Sequence, residues 1–148
     1  MAGKRREGRI LAAQFLYQRE VGTSSIPRDE ALKNLWEQTE AKPEACAFAE
    51  GRIRAVLEKQ AEVDQELKKL VTNWEPGRMA PVDRAILRLA LWEMKFAEDV
   101  APISALNEAI EVAKALSTEE SGKFVNGVLD KARQGLSRPE RSITPSKT

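Results

Sequence analysis

The chain has 148 residues, of which 42% are hydrophobic and 32% charged, with 24 Lys and Arg against 23 Asp and Glu. This is enough for one domain with a real core, and it excludes a disordered chain; no apolar run nears the roughly 20 residues that span a bilayer. There is no His and one cysteine, Cys46, so the commonest general base is missing, as are an internal disulfide and any multi-thiolate metal site. No glycine-rich phosphate loop is present. The composition therefore predicts a non-enzyme without cofactor or metal. The basic start MAGKRREGR lacks a following apolar stretch with a cleavage site, which predicts a cytoplasmic protein.

Charge is placed unevenly. Lys4, Arg5, Arg6 and Arg9 against Glu7 give residues 1–9 a net +3. Lys131, Arg133, Arg138, Arg141 and Lys147 against Glu140 give residues 131–148 a net +4, leaving −6 for the middle. Basic ends on an acidic body predict an anionic partner at one place and a basic partner at another.

Strand alternation is absent and helical spacing recurs throughout. The first helix is predicted from Lys4 to Val21 and ends at Gly22-Thr23-Ser24-Ser25. A second runs from Arg28 to Glu40, after Pro27. Pro43 opens a long third segment, Glu44 to Asn73, with a bend or break near Lys59 to Glu62 where the apolar pattern thins. Trp74-Glu75-Pro76-Gly77 reads as a turn. Pro81 opens a helix over Val82 to Ala97, since a first-turn position has no N–H to satisfy. That helix is apolar over most of its circumference, with only Arg84, Arg88 and Lys95 as a polar strip, so it belongs at a bundle centre. Pro102 opens another helix reaching Leu116. Ser117-Thr118-Glu119-Glu120 has capping-box form and starts the last helix, Thr118 to Gln134. The expected fold is all-α: six or seven helices over residues 1–135, arranged as two small bundles on either side of the Trp74–Gly77 turn. Residues 136–148 lack a core pattern and are expected to be a basic, disordered tail.

Helical projection separates the faces. On the first helix Leu11, Ala12, Phe15 and Leu16 share a core face, while Arg6, Ala13, Gln14 and Tyr17 lie on the other side. A ring beside cations and amides suits single-stranded nucleic acid, with cations tracking phosphates and the ring stacking on a base. Packing of that same face on the second bundle is the competing reading, and the general habit of tyrosine favours it. On the last helix Val125, Val128, Leu129 and Ala132 are core. Phe124 sits at the edge of that face, with Lys123 and Asn126 on the polar side; here too ordinary core packing competes with stacking. Gly127 reads as a helix-packing glycine. Asn107 and Glu108, and likewise Asp83, read as capping and dipole-compensating residues near helix starts.

Five segments together resemble the NusB family of transcription antitermination factors: KRREGR at 4–9, AAQFLYQ at 12–18, VDRAILRLALWEM at 82–94, DVAPISALNEAIEVAK at 99–114 and ESGKFVNGVLDKA at 120–132. The resemblance is weakest over 22–73 and absent in the tail. It implies two packed helical bundles, and binding of boxA RNA in nascent ribosomal transcripts as a heterodimer with NusE, a small-subunit ribosomal protein. Other Nus factors and RNA polymerase are implied as indirect partners. No membrane, cofactor or catalysis is implied. Carried over by position, the RNA-contact candidates are Lys4, Arg5, Arg6, Arg9, Gln14, Tyr17, Lys123, Phe124 and Asn126. Asp83, Glu119 and Glu120 are the candidates for docking the basic NusE. Two alternatives stay open: a NusB-like protein adaptor that uses no RNA, and the RNA-binding domain of an rRNA methyltransferase. The chain's end at Thr148 argues against the latter. Self-association to a homodimer through either binding face is left open.

Overall fold

The computed structural model describes residues 2–22, 25–72, 79–136 and 139. Among them are seven helices and no strand: α1 (Ala2–Val21), α2 (Arg28–Gln38), α3 (Pro43–Glu58), α4 (Gln60–Leu70), α5 (Pro81–Phe96), α6 (Pro102–Leu116) and α7 (Glu119–Gln134). Pro43, Pro81 and Pro102 each occupy the first turn of their helices, where the missing N–H costs nothing. The long third segment breaks at Lys59, which leaves helical geometry at φ −108°, ψ 12°. None of these helices is long and apolar enough to cross a membrane.

Two cores form. Leu11, Ala12, Phe15 and Leu16 of α1 close on Leu32 of α2 and on Ala49, Ile53 and Val56 of α3, joined by Ala85 and Leu89 of α5. The other core gathers Val63 and Leu67 of α4, Ile86, Leu87, Leu91 and Met94 of α5, Leu106 and Val112 of α6, and Val125 and Leu129 of α7. The division between bundles therefore falls at the Lys59 break. It does not fall at the Trp74–Gly77 turn, which lies outside the described residues: α4 packs on α5 and α7, so it belongs to the second bundle. Helix α5 serves both cores, as its near-complete apolar circumference requires.

Helix α1 likewise buries two faces. Ala13, on the side opposite Leu11 and Phe15, is wholly buried in the second core with Ile10 against it. The stripe Arg6, Ile10, Ala13, Tyr17 thus has a covered middle and open ends.

The polar strip of α5 is not a solvated face. Arg84 and Arg88 are buried. Arg84 Nε donates to Glu20 at 3.0 Å, while Arg88 bridges Glu20 of α1 at 2.7 Å and Asp64 of α4 at 2.9 Å. These pairs pin the two bundles together.

Candidate nucleic-acid interface

The predicted site residues divide between the two ends of α1. Tyr17 and Phe124, 37% and 38% exposed, are the most open aromatic rings among the described residues, the others being partly or fully buried. Gln14, Tyr17 and Gln18 rim a hollow closed by Pro81, Val82 and Leu116. Lys123 and Phe124 line a groove whose far wall includes Thr72 and Met79. Both rings therefore flank the chain that leads into α5, and Met79 and Val82 are separated by no more than about 10 Å of backbone. Asn126 is exposed one turn beyond Lys123, on the adjoining side of α7. Gln18, Thr72 and Met79 escaped the sequence reading. Gln18 carries a signal, since it neighbours Tyr17 in AAQFLYQ; Thr72 and Met79 carry none, because only the tertiary fold brings them to α7.

The N-terminal cations lie elsewhere. Arg6 precedes Tyr17 by eleven residues, about 16 Å along the helix. Each of the four is engaged by a carboxylate: Lys4 with Glu44 at 2.7 Å, Arg5 with Asp99 at 3.5 Å, Arg6 with both oxygens of Glu108 at 3.0 Å, and Arg9 with Glu93 at 2.9 Å. The first three stay half-exposed. Arg9 does not: it is 3% exposed and spends Nε and Nη2 on Glu93. This corrects its reading as a surface cation, because a guanidinium enclosed by its carboxylate presents nothing to a phosphate. Arg52 reaches the same Glu93 at 2.9 Å and Asp99 at 2.7 Å. Phe48 lies beneath Arg5, Arg9 and Arg52, whose guanidinium carbons stand 5.3, 5.2 and 4.5 Å from its ring centre. Neither Phe48 nor Glu93 carries a local signal in the sequence that marks it as the centre of a charged cluster, because partners of each come from distant segments.

Glu108 also departs from its sequence reading. It lies well inside α6, not in the first turn, and it is an ion-pair partner, not a cap. The Arg6 hydrogen bonds hold its carboxyl below the usual range, against a smaller upward push from burial. A depressed carboxylate pKa contributes stability above the unfolded value and loses it as pH falls through the folded one. Acidification below the ordinary glutamate pKa of about 4.3 should therefore lower the urea midpoint, and Glu108→Gln should flatten that fall. Equal acid sensitivity in both proteins would show that the pair contributes nothing.

The acidic candidates separate as well. Asp83 is buried, accepting a hydrogen bond from the Ser121 hydroxyl that ties the start of α5 to the start of α7. Burial pushes its carboxyl up, against the Ser121 bond. Its place in the first turn of α5 agrees with the dipole reading, but its burial withdraws it from a docking surface. Glu119 and Glu120 are exposed in the first turn of α7. The cap there is Thr118, whose hydroxyl accepts from the Ser121 N–H at 3.1 Å. The frame is one residue later than a Ser117–Glu120 box, so Glu120 is not held by a box.

The NusB family model matches residues 6–134. The chain belongs to the NusB family. It is 43% identical over 139 residues to the transcription antitermination protein NusB of Sorangium cellulosum, covering 94% of this chain and 98% of that one. It is 38% identical to the NusB of Myxococcus xanthus, covering 93% and 99%. Among solved structures, Thermotoga maritima NusB superposes with a TM-score of 0.73 at 34% identity, over 90% of this chain and 92% of that one. A complex of the antitermination factors NusB and NusE with double-stranded RNA contains a chain that superposes at 0.78 with 25% identity, over 90% and 98%. The NusB-family resemblance in the sequence is thus borne out across α1 and α5–α7, and it extends through the weakly matching region 22–73.

Proposed function

We propose that this NusB-family chain is a transcription antitermination factor. It binds boxA RNA of nascent ribosomal transcripts together with NusE and helps RNA polymerase resist termination. The observation that carries the reading is the pair of half-exposed rings, Tyr17 and Phe124, on either side of residues 79–82. Each ring leaves more than a third of its surface open to a partner, beside polar or cationic side chains. Rings beside amides and lysines take splayed bases, which single-stranded RNA offers and a duplex does not.

Tyr17 and Phe124 are the stacking residues in this reading. Gln14 and Asn126 reach base edges or sugar, and Lys123 takes a phosphate. Lys4, Arg5 and Arg6 hold the RNA backbone at the far end of α1 by exchanging their carboxylate partners for phosphates. Arg9 contributes by fixing α1 and does not touch RNA. Glu119 and Glu120 offer the exposed negative charge that suits a basic NusE, and Asp83 supports them from below. Other Nus factors and the polymerase join through that complex. The protein works in the cytoplasm, as a helical domain over residues 1–135 followed by a basic tail, and it has no catalytic step. Antitermination proteins matched over almost their whole length favour this reading over a module of an RNA methyltransferase.

The test is binding of a labelled boxA-type single-stranded RNA, with and without NusE, across a salt series. A scrambled strand and a duplex serve as controls. The expected result is tighter binding of the boxA strand with NusE present, with a log–log salt slope near −0.7 for each neutralised phosphate. NusE binding with weak, unselective RNA affinity would make the protein an adaptor. Preference for the duplex would rule out stacking by Tyr17 and Phe124.

A further inference from the structure

We propose that the RNA site continues along α7 past Phe124: a nucleotide lies directly on the helix backbone at Gly127, with its phosphate on Lys131. This rests on the RNA reading above and adds to it a strand path and two residues.

Gly127 stands in the interior of α7, where glycine weakens a helix relative to alanine. Gly8 of α1, by contrast, has a packing reason. A Cβ at Gly8 would sit 2.7 Å from the Phe48 ring and 2.9 Å from the Ala45 carbonyl, so α1 and α3 could not meet there. A Cβ at Gly122 would make an ordinary 3.8 Å contact with Ile110 on α6, so that buried position packs against a neighbouring helix whether or not it is glycine. At Gly127 no described atom lies within 4 Å of that position, and the residue is exposed. Its lack of a side chain therefore serves nothing inside the described protein. It leaves bare backbone, which allows another molecule to approach closely.

What surrounds that bare patch identifies the occupant. It is the floor of a groove of about 460 Å³, walled by Leu70 and Met79 on one side and by Lys123, Phe124 and Lys131 on the other. Lys123 and Lys131 stand eight residues apart on α7, about 12 Å along its axis, with Phe124 and Gly127 between them. Neither lysine has a carboxylate partner among the described residues, whereas Lys4, Arg5, Arg6 and Arg9 all do. Two cations unpaired among the described residues, a half-open ring and bare backbone in one groove suit a polyanion that carries flat apolar bases. Gly51 of α3 is also open, but its neighbours Glu50 and Arg54 pair with each other at 3.1 Å, so nothing there attracts a phosphate.

The experiment compares the wild-type chain with Gly127→Ala, Lys131→Gln and Phe124→Ala. Each is measured with NusE and boxA-type single-stranded RNA over a salt series, and each is melted alone. Gly127→Ala should melt higher, by about 2 °C from its better helix propensity, while binding RNA on the order of tenfold more weakly. A rise in stability with a loss of binding is a pair of signs that a packing glycine cannot give. Lys131→Gln should reduce the salt slope by about 0.7, a readout that a lysine merely complementing the helix dipole would not move. The proposal is overturned if Gly127→Ala melts lower, if it binds RNA like the wild type, or if Lys131→Gln keeps the full salt slope. Weakened NusE binding without RNA would overturn it too, by giving the groove to the protein partner. If Phe124→Ala weakens binding while the other two variants do not, the site ends at Phe124 and only the extension fails. If Phe124→Ala is also without effect, the RNA reading at this end of the molecule falls with it.

Discussion

Glu93→Gln should lower the stability of the protein by about 3–5 kcal/mol, the usual cost of removing one member of a buried ion pair. Glu93 is 1% exposed, and its two oxygens are shared by Arg9 of α1 and Arg52 of α3. Neutralising it leaves two guanidinium groups crowded over Phe48, with only the half-exposed Asp99 beside Arg52 and Glu108 at 3.9 Å from Arg9 as remaining countercharge. For a chain of this length the loss corresponds to a melting temperature lower by about 10 °C. The consequence reaches the site because this cluster is what holds the first half of α1 against α3 and α5. Loosening it releases the placement of Lys4, Arg5 and Arg6. An apolar replacement of the cluster separates charge from packing: Arg9→Met with Arg52→Met and Glu93→Leu should recover most of the stability, since a buried pair adds little over well-packed apolar side chains. A melting temperature unchanged in Glu93→Gln would show that water reaches the cluster and solvates the two arginines.

This cluster also marks where the sequence stops being legible. Apolar periodicity and the prolines at 27, 43, 81 and 102 placed every helix, and the thinning of the pattern near Lys59 anticipated the break between α3 and α4. The bundle boundary was misplaced because an apolar stripe says that a helix packs but not against what; only the fold assigns Val63 and Leu67 to the second core. The same ignorance of partners hid the charge pairing. Arg9 reads as a surface cation in KRREGR, and nothing local reveals that Glu93, eighty-four residues on, encloses it. Arg6 and Glu108, and Arg88 with Glu20 and Asp64, are likewise pairs between distant segments. By contrast, the exposure of Tyr17 and Phe124 was within reach of helical projection, which set both off the main core stripes. Projection left packing and stacking both open because it cannot tell a face covered by a neighbouring helix from one left bare. Ala13 and Tyr17 share a line on α1, yet Ala13 is covered and Tyr17 is not.

That contrast sets up the largest expected functional effect. Tyr17→Ala and Phe124→Ala should each weaken boxA RNA binding between about fivefold and a hundredfold, the span of 1–3 kcal/mol that stacking on one base contributes. Neither should disturb helicity: both rings are already more than a third exposed, so truncation opens no enclosed cavity. The rings occupy different hollows and share no wall residue among the described ones, so the two losses should multiply in the double variant. Tyr17→Phe keeps the ring and should bind almost as well as the wild type, while Tyr17→Leu keeps much of the bulk but not the flat face and should resemble alanine. Tyr17→Leu binding like the wild type would reduce the contact to apolar burial. If Tyr17→Ala lost its fold, the ring would belong to the packing between the bundles. Were the double variant no weaker than either single one, the two rings would grip the same base or act through a shared rearrangement, and the path from Tyr17 past residues 79–82 to Phe124 would have to be redrawn.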